Sequence, residues 1–458
     1  MLMLLPELRE KHHRFIYDAY HINQRADKLR IRFNFVLDPD IVFTPEITIP
    51  QNRSLEQKEL ENFVFHLGLI EMLSYWKAAC PQEIKIEAGH LTEDQIKWWH
   101  DLFIHGLGEF FYQNQVDFTP PDFFRISAAH SAESYQPLQN LPESSGDLVL
   151  VGGGKDSVVT LETLKNGPGK RNCLLLNPTK PALVTARVAG YPQPLIVERT
   201  IDPALLKLNE RGYLNGHTPF SAYLAFIGVF VGVLNNFKYV IASNEYSANQ
   251  GNIVFHGVNV NHQYSKSFRF EQLFREYCAR YLSSNIQYFS FLRPLYELQI
   301  AQLFSQYSKY DQAFISCNVN RGESWCGTCP KCAFVYLSLF PFLDDERRKR
   351  IFGKDFFSIP KIQDRILSLV GLGEHKPFDC VGTEEESILA VALALKKYQS
   401  EDKLAPPFLL SLKSKLNLSD KRTEELLRKE LIKSWNNENF LPPEYARLLK
   451  EKLKILKQ

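Results

Sequence analysis

The chain has 458 residues, more than a single hydrophobic core normally serves, so we expect two or three domains. Its net charge of +2 is too small for a protein that mainly binds nucleic acid or an anionic membrane surface. The most apolar stretch, Phe220–Leu234, is shorter than the roughly 20 residues that cross a bilayer, and it predicts a buried helix. Apolar residues 1–5 precede charged residues, the reverse of a secretory signal, so a cytoplasmic protein is expected.

The first part of the chain predicts an N-terminal α+β domain over residues 1–140. Apolar and polar residues alternate over residues 29–37, which is typical of a half-buried strand, and residues 41–49 predict a second strand. A helix is predicted over residues 55–79. Residues 131–146 are rich in Ser, Pro, Glu and Gln, and therefore predict a linker to the next domain.

From residue 141 to residue 260 the pattern changes to alternating strands and helices. Such alternation predicts an α/β domain with a doubly wound parallel sheet. Short apolar strands are predicted at residues 147–151, 173–176, 195–197 and 239–242. The remaining part, residues 261–458, is predicted to be mainly helical.

A glycine-rich loop follows the strand at residues 147–151 and begins a helix; it consists of Gly152, Gly153, Gly154, Lys155, Asp156 and Ser157. Glycines allow a sharp turn and a close approach of the backbone to a ligand, and the free amides at a helix start attract anions. Lys155 adds a cation and Ser157 a hydroxyl donor. Asp156 would repel phosphate by itself, so its expected role is to hold Mg²⁺. The loop fits neither G-x-x-x-x-G-K-[ST] nor G-x-G-x-x-G.

This loop resembles the PP-loop of the ATP pyrophosphatase superfamily, whose usual form is Ser-Gly-Gly-x-Asp-Ser. Gly152 stands where that superfamily usually has Ser, so one hydroxyl donor is absent. The resemblance implies an adenine nucleotide alpha-hydrolase-like fold, with ATP and Mg²⁺ as cofactors. It also implies cleavage of ATP between its α and β phosphates and adenylation of a substrate oxygen. The alternative is a glycine turn that binds no ligand.

Further polar residues fall at the ends of the predicted strands, where open parallel sheets bind their ligands. His217 and Thr218 precede the apolar helix, and Asn244 and Glu245 follow the strand at residues 239–242. Thr218 also fits the N-cap of that helix, with Pro219 at its first position. Each of these residues is therefore either a site residue or a residue of a cap or turn.

Four of the eight cysteines lie close together, in the pattern C-x8-C-x2-C-x2-C: Cys317, Cys326, Cys329 and Cys332. Four thiolates satisfy tetrahedral Zn²⁺ and leave no open position, which predicts a structural zinc site. An iron–sulfur cluster remains an alternative that spacing does not exclude. The spacing resembles the zinc site of 7-cyano-7-deazaguanine synthase, another PP-loop enzyme.

Several stretches together resemble a narrower family, the UDP-N-acetylmuramoyl-L-alanyl-L-glutamate epimerases of some bacteria. These stretches are residues 74–77, 151–157, 215–222, 243–249, 260–266 and 292–295, the cysteine cluster, and residues 376–382. The resemblance implies ATP- and Mg²⁺-dependent inversion of the terminal L-glutamate of UDP-N-acetylmuramoyl-L-alanyl-L-glutamate, a peptidoglycan precursor, with release of AMP and pyrophosphate. The candidates for the acid and base are His217, Glu245, His262, Tyr264 and Cys380.

Three other interpretations stay open. One is a PP-loop enzyme that forms an amide or nitrile on a modified base, although no glutaminase domain is evident. Another is a tRNA-thiolating enzyme, which should have a strongly basic surface and a reactive cysteine pair. The third is a nucleotide-binding module without enzymatic activity, which would have no need of a magnesium ligand such as Asp156.

Overall fold

The computed structural model describes residues 3–129, 136–139, 144–165, 167, 169–320, 324–419, 421, 423, 425 and 434–455. The predicted linker, residues 131–146, lies mostly outside the described residues. Among the residues that are described, no helix is long and apolar enough to cross a membrane.

The strands are β1 Arg14–Gln24, β2 Lys28–Leu37, β3 Ile41–Phe43, β4 Glu46–Pro50, β5 Glu83–His90, β6 Arg125–Ala129, β7 Asp147–Leu150, β8 Arg171–Leu176, β9 Leu195–Thr200, β10 Tyr239–Ala242, β11 Ile253–Phe255, β12 Val258–Val260 and β13 Gln287–Ser290. The helices are α1 Leu5–Lys11, α2 Gln57–Trp76, α3 Glu93–Gly106, α4 Gly108–Gln113, α5 Lys155–Leu164, α6 Lys180–Val188, α7 Pro203–Glu210, α8 Phe220–Leu234, α9 Phe268–Tyr281, α10 Glu297–Phe304, α11 Pro330–Leu339, α12 Asp345–Phe352, α13 Pro360–Leu369, α14 Glu384–Ser400, α15 Pro407–Lys415 and α16 Pro443–Ile455.

Eleven strands form one large mixed sheet in the order β13-β10-β7-β8-β9-β4-β2-β1-β5-β6, with β3 paired to β2. The strands from β13 to β9 are all parallel, which confirms an α/β fold in this part of the chain. β9 is antiparallel to β4, with Glu46 opposite Thr200. The sheet therefore runs without a break from the parallel strands β13 to β9 into the N-terminal strands.

The single strand predicted over residues 41–49 is wrong, because the chain forms two strands there, β3 and β4. Pro45 lies between them and has no amide hydrogen to give to a neighbouring strand. Its carbonyl oxygen instead accepts a hydrogen bond from the amide of Phe33, at 3.0 Å. The mainly helical part predicted from residue 261 is confirmed, except that β13 adds a further parallel strand at the sheet edge.

Helices cover both faces of the parallel strands. In β7, Leu148 and Leu150 face a core that includes α2 and α8, whereas Val149 faces a core that includes α5, α10 and α11. The predicted buried helix is confirmed as α8. It approaches β10 closely because Gly228 lacks a side chain: a Cβ there would lie 2.7 Å from Cγ1 of Val240.

Candidate functional site

The glycine loop lies at the carboxyl end of β7, and Gly154 is the N-cap of α5. Gly153 has φ of +86°, and a Cβ there would lie 2.7 Å from the Cα of Ala182, so a side chain does not fit. The Ser157 hydroxyl accepts a hydrogen bond from the amide of Gly152, at 3.2 Å, and keeps its proton for a ligand. The loop therefore has the form of an anion site at a helix start.

A cavity of about 540 Å³ lies beside this loop, at the carboxyl ends of β7, β8 and β10. Its polar wall contains Gly152, Gly154, Asp156, Ser157, Ser243, Asn244, Glu245, Lys266, Ser316, Asn318, Lys331 and Cys380. Its apolar wall contains Leu150, Val151, Leu174, Leu176, Phe220, Leu224 and Ile315. The polar residues that sequence placed at the strand ends, Asn244 and Glu245, thus face the same space as the glycine loop.

The lysines that line the cavity are not the one that the sequence predicted, Lys155. Lys155 is 1% exposed, and its ammonium donates to the carboxylates of Asp156, at 2.5 Å, and Glu297. Burial raises the pKa of the Glu297 carboxyl to about 7, against the lowering effect of Lys155. Lys266 and Lys331 line the cavity instead. Sequence reasoning missed both, although Lys331 stands between two cluster cysteines and Lys266 within a stretch already singled out.

The five acid–base candidates separate into three locations. Glu245 and Cys380 line the cavity. His262 lies directly behind Cys380, with its Nε2 atom 3.9 Å from Sγ, and His217 packs on His262 with ring centroids 4.5 Å apart. Tyr264 points elsewhere: its hydroxyl donates to Asp101, and its ring stacks on that of His105.

The two histidines share a buried carboxylate that sequence reasoning missed, Glu109 of α4. Its Oε2 atom is hydrogen-bonded to Nδ1 of His262 and lies 3.4 Å from Nδ1 of His217. These three side chains place metal-binding atoms within 4.8 Å of one another. Because Glu109 is already hydrogen-bonded to an imidazole, we interpret the group as a hydrogen-bonded network.

The surroundings of the two histidines shift their pKa values in opposite directions. Burial lowers the pKa of His217 well below its usual value. For His262 burial has the same effect, but hydrogen bonds with Cys380 and Glu109 outweigh it and raise the pKa to about 10. Burial also raises the pKa of the Glu245 carboxyl. A site with one depressed and one raised imidazole pKa is typical of a functional cluster.

Lys77 holds the backbone that carries His217. Its ammonium donates to the carbonyl of Gly216 and to Oγ1 of Thr218, the latter at 2.8 Å. Burial lowers the pKa of Lys77 to about 8. The predicted N-cap role of Thr218 is wrong, because α8 begins at Phe220 with Pro219 as its N-cap. The Thr218 side chain is turned toward Lys77 instead.

Arg293 is fully buried and fixes two segments of the cavity wall. Its guanidinium donates to the carbonyl oxygen of Glu245, at 2.6 Å, and to the carbonyl oxygen of Lys266. The carboxylate of Glu271 balances its charge, at 3.0 Å. Such a buried pair positions side chains rather than adding much stability. Arg293 therefore sets the spacing between Glu245 and Lys266.

The four predicted metal ligands do come together: the Sγ atoms of Cys317, Cys326, Cys329 and Cys332 lie within 4.8 Å of one another. Backbone amides donate to three of these sulfurs, from Asn320 to Cys317, from Thr328 to Cys326 and from Cys332 to Cys329. Amide donors of this kind stabilise thiolates. The donor set fits tetrahedral Zn²⁺. Cys317 also lines the cavity, so the cluster supports its wall.

The protein is of the α/β class, with a glycine loop at the carboxyl edge of its parallel strands and a four-cysteine cluster nearby. The glycine loop and the lysines of the cavity suit an anionic ligand. Two family models narrow this class. One, described as the MurL N-terminal domain, matches residues 7–291, and the other, described as the MurL C-terminal domain, matches residues 312–424. The chain belongs to the MurL family.

Three curated relatives carry the name UDP-N-acetyl-alpha-D-muramoyl-L-alanyl-L-glutamate epimerase. The protein of Xanthomonas oryzae pv. oryzae is 35% identical over 82% of this chain and 83% of its own length. That of a Micromonospora species is 37% identical over 73% of this chain and 75% of its own. That of Salinispora tropica is 36% identical over 77% of this chain and 78% of its own length. No solved structure matches the chain.

Proposed function

We propose that this protein is an ATP-dependent isomerase that inverts the terminal L-glutamate of UDP-N-acetylmuramoyl-L-alanyl-L-glutamate, giving the D-glutamate precursor of peptidoglycan. The relatives' shared name, over most of both chains, supports the reaction. The structural observation that carries the proposal is that one cavity is lined by the glycine loop and by two acid–base candidates, Glu245 and Cys380. Activation of a carboxylate and proton transfer at the adjacent carbon need such proximity.

The lining of the cavity supports ATP as the ligand, because it has groups suited to the phosphates and to the adenine ring. The glycine-loop amides and the hydroxyl of Ser157 would bind phosphate oxygens. Lys266 and Lys331 would balance phosphate charge, which gives the cavity the cations that Lys155 does not supply. The apolar wall, with Phe220 and Leu224, suits the adenine ring.

Magnesium would bind at Asp156, the loop carboxylate that lines the cavity. Burial would raise the pKa of this carboxyl, but Lys155 and Lys331 lower it, so it is ionised and ready to bind a hard cation. When bound, Mg²⁺ neutralises phosphate charge. Zinc held by the four cysteines would be structural, because four thiolates leave it no open position.

Adenylation explains why ATP is needed. A carboxylate beside Cα opposes loss of the α proton, because deprotonation would place a second negative charge next to the first. Converting the carboxylate to a mixed anhydride with AMP removes that charge, and the resulting enolate can be stabilised by nearby donors. Glu245 and Cys380 would then exchange protons with Cα on its two faces. Pyrophosphate would leave when the mixed anhydride forms, and water would finally cleave the anhydride and release AMP.

The deciding experiment incubates the purified protein with ATP, Mg²⁺ and UDP-N-acetylmuramoyl-L-alanyl-L-glutamate in D₂O. We expect AMP and pyrophosphate, and D-glutamate carrying deuterium at Cα after acid hydrolysis and chiral analysis. Free glutamate should react poorly, because binding of the nucleotide and sugar is needed to orient the reacting end. Unchanged L-glutamate with a new amide or thio product would instead support one of the other PP-loop reactions.

A further inference from the structure

We propose that Cys380 acts as a thiolate that exchanges the α proton on one face of the glutamyl residue, and that Glu109, His262 and Lys266 are the residues that maintain this thiolate. The inference deepens the function proposed above and rests on it. It assigns a catalytic role to Cys380 and positioning roles to the other three.

The sulfur of Cys380 lies between two cationic groups. Nζ of Lys266 is 3.1 Å from Sγ, and Nε2 of His262 is 3.9 Å from it. The ammonium can only donate, so the contact with Lys266 stabilises the thiolate over the thiol. Cys380 also lines the cavity and is partly exposed, so the residue adjoins the space proposed for the substrate.

Glu109 determines which nitrogen of His262 faces the sulfur. Its Oε2 atom is hydrogen-bonded to Nδ1 of His262, which leaves Nε2 directed to Cys380. Its Oε1 atom accepts a hydrogen bond from the side-chain amide of Gln113, at 2.8 Å, so the carboxylate is held from both sides. A carboxylate that orients an imidazole beside a nucleophile or base is a common catalytic arrangement.

The charged groups around Cys380 come from several segments. Lys266, His262 and Lys331 are positive, whereas Asp379, Glu245 and Glu109 are acidic. Burial alone would raise the pKa of the Cys380 thiol, but Lys266 and His262 outweigh burial and hold this pKa well below its usual range. The raised pKa of His262 is the counterpart of this effect.

The loop that carries Cys380 is tied to the cysteine cluster and to the cavity wall. The ammonium of Lys331, which follows Cys329 by two positions, donates to the carbonyl oxygen of Cys380. Asp379 accepts a hydrogen bond from the side chain of Asn318, which follows Cys317. Both ends of the cluster therefore help to fix the thiolate in place.

The proposed step is balanced in protons. The Cys380 thiolate takes the α proton from the adenylated glutamyl residue, so that a C–H bond breaks, an S–H bond forms and the electron pair moves to the enolate. Glu245, whose pKa is raised by burial, gives a proton to the opposite face of Cα. The thiol then releases its proton to water and Glu245 takes one up, which restores the enzyme.

The test measures thiol reactivity rather than turnover. The zinc-loaded, full-length protein is alkylated with iodoacetamide from pH 5 to pH 9, and the modified Cys380 peptide is quantified by mass spectrometry. Because the thiolate is the reactive form, we expect the inflection of the rate profile to lie well below the pH at which an ordinary cysteine becomes reactive. Glu109→Gln, His262→Gln and Lys266→Met should move the inflection toward about 8.5, the pKa of a free cysteine. The rate at low pH should then fall about tenfold for every pH unit by which the inflection rises.

Lys97→Met is the matched control, since the Lys97 side chain is 75% exposed on α3, and it should leave the profile unchanged. An ordinary thiol profile in the wild type, or the wild-type profile in all three variants, would overturn the proposed thiolate.

Cys380→Ser should release pyrophosphate but place no deuterium at Cα; retained exchange would overturn its catalytic role. Failure of the wild type to form AMP would count against the proposed function, whereas the alkylation profile would stand independently.

Discussion

The ammonium of Lys155, in the first turn of α5, is hydrogen-bonded to the carboxylate of Glu297, in the first turn of α10. The two side chains are 1% and 2% exposed. This pair ties the glycine loop to the helix that follows β13, so the loop conformation depends on a segment 142 residues away. Lys155 thus stabilises the loop through a buried contact.

Glu297→Leu should lower the free energy of unfolding by about 1–3 kcal/mol, because it removes one of the two carboxylates that accept from the buried Lys155 ammonium and leaves only Asp156. Chemical denaturation monitored by circular dichroism measures the change. The double variant Lys155→Met/Glu297→Leu should be more stable than the sum of the single changes predicts. Glu401→Leu, which removes a surface partner of Lys403, is the control and should cost less than about 1 kcal/mol. Additive single effects would contradict the pairing.

Asp156→Asn should abolish Mg²⁺-dependent formation of pyrophosphate and leave the circular dichroism spectrum intact, since the amide lacks the charge that holds the cation. A coupled pyrophosphate assay gives the rate. Asp94→Asn, at a side chain that is 54% exposed, should behave as wild type. Formation of ADP and orthophosphate by the wild type would show that the loop is not of the PP type.

Two neighbouring glycines of the loop should respond differently to alanine. Gly153→Ala should destabilise the fold by about 1–3 kcal/mol, because a Cβ at φ of +86° would meet the backbone of Ala182 at 2.7 Å. Gly152→Ala should leave stability nearly unchanged, because no heavy atom of the described residues lies within 4 Å of a Cβ there. Thermal unfolding of the two variants gives the comparison. Equal losses of stability would show that the loop is packed differently.

One Zn²⁺ per chain should copurify with the protein, and Cys329→Ser should cause unfolding or aggregation, because structural zinc contributes directly to folding. Elemental analysis and size-exclusion chromatography measure the two outcomes. Cys278→Ala removes a buried cysteine outside the cluster and should retain full zinc content. An absence of metal, or iron with a visible chromophore, would refute the zinc assignment.

His66 should make the protein acid-sensitive. Burial lowers its pKa to about 4 in the folded state, below the ordinary value of 6.5. The unfolded chain therefore binds a proton at His66 more readily than the folded chain does. The full free energy of unfolding is present above pH 6.5, and part of it is lost as the pH falls toward 4. The loss is about 3 kcal/mol, at 1.36 kcal/mol for each pH unit between the two pKa values. His66→Leu should flatten this part of the pH–stability curve, whereas His13→Gln, at an exposed position, should not. A curve that keeps its slope in His66→Leu would rule out this residue as the cause.

Sequence alone identified the features that depend on neighbouring residues. The glycine loop, helix α8 and the cysteine cluster each follow from spacing within a short segment, because turn geometry, helical periodicity and ligand spacing are local. Residues of the cavity wall such as Glu245 were also predicted, because parallel strands end at a common edge.

Tertiary structure decided which of these groups meet. Lys266 and Cys380 are 114 positions apart, and Glu109 and His262 are 153 positions apart, so no periodicity relates them. Pairing of β4 with β9, which makes one sheet of two predicted units, likewise depends on a contact across more than 150 residues. Lys155 is a further example. Its position in the loop predicts a contact with phosphate, but its ammonium donates to the buried carboxylate of Glu297 instead. Contacts of this kind are set by the packing of whole elements around a shared core, and local sequence does not contain that information.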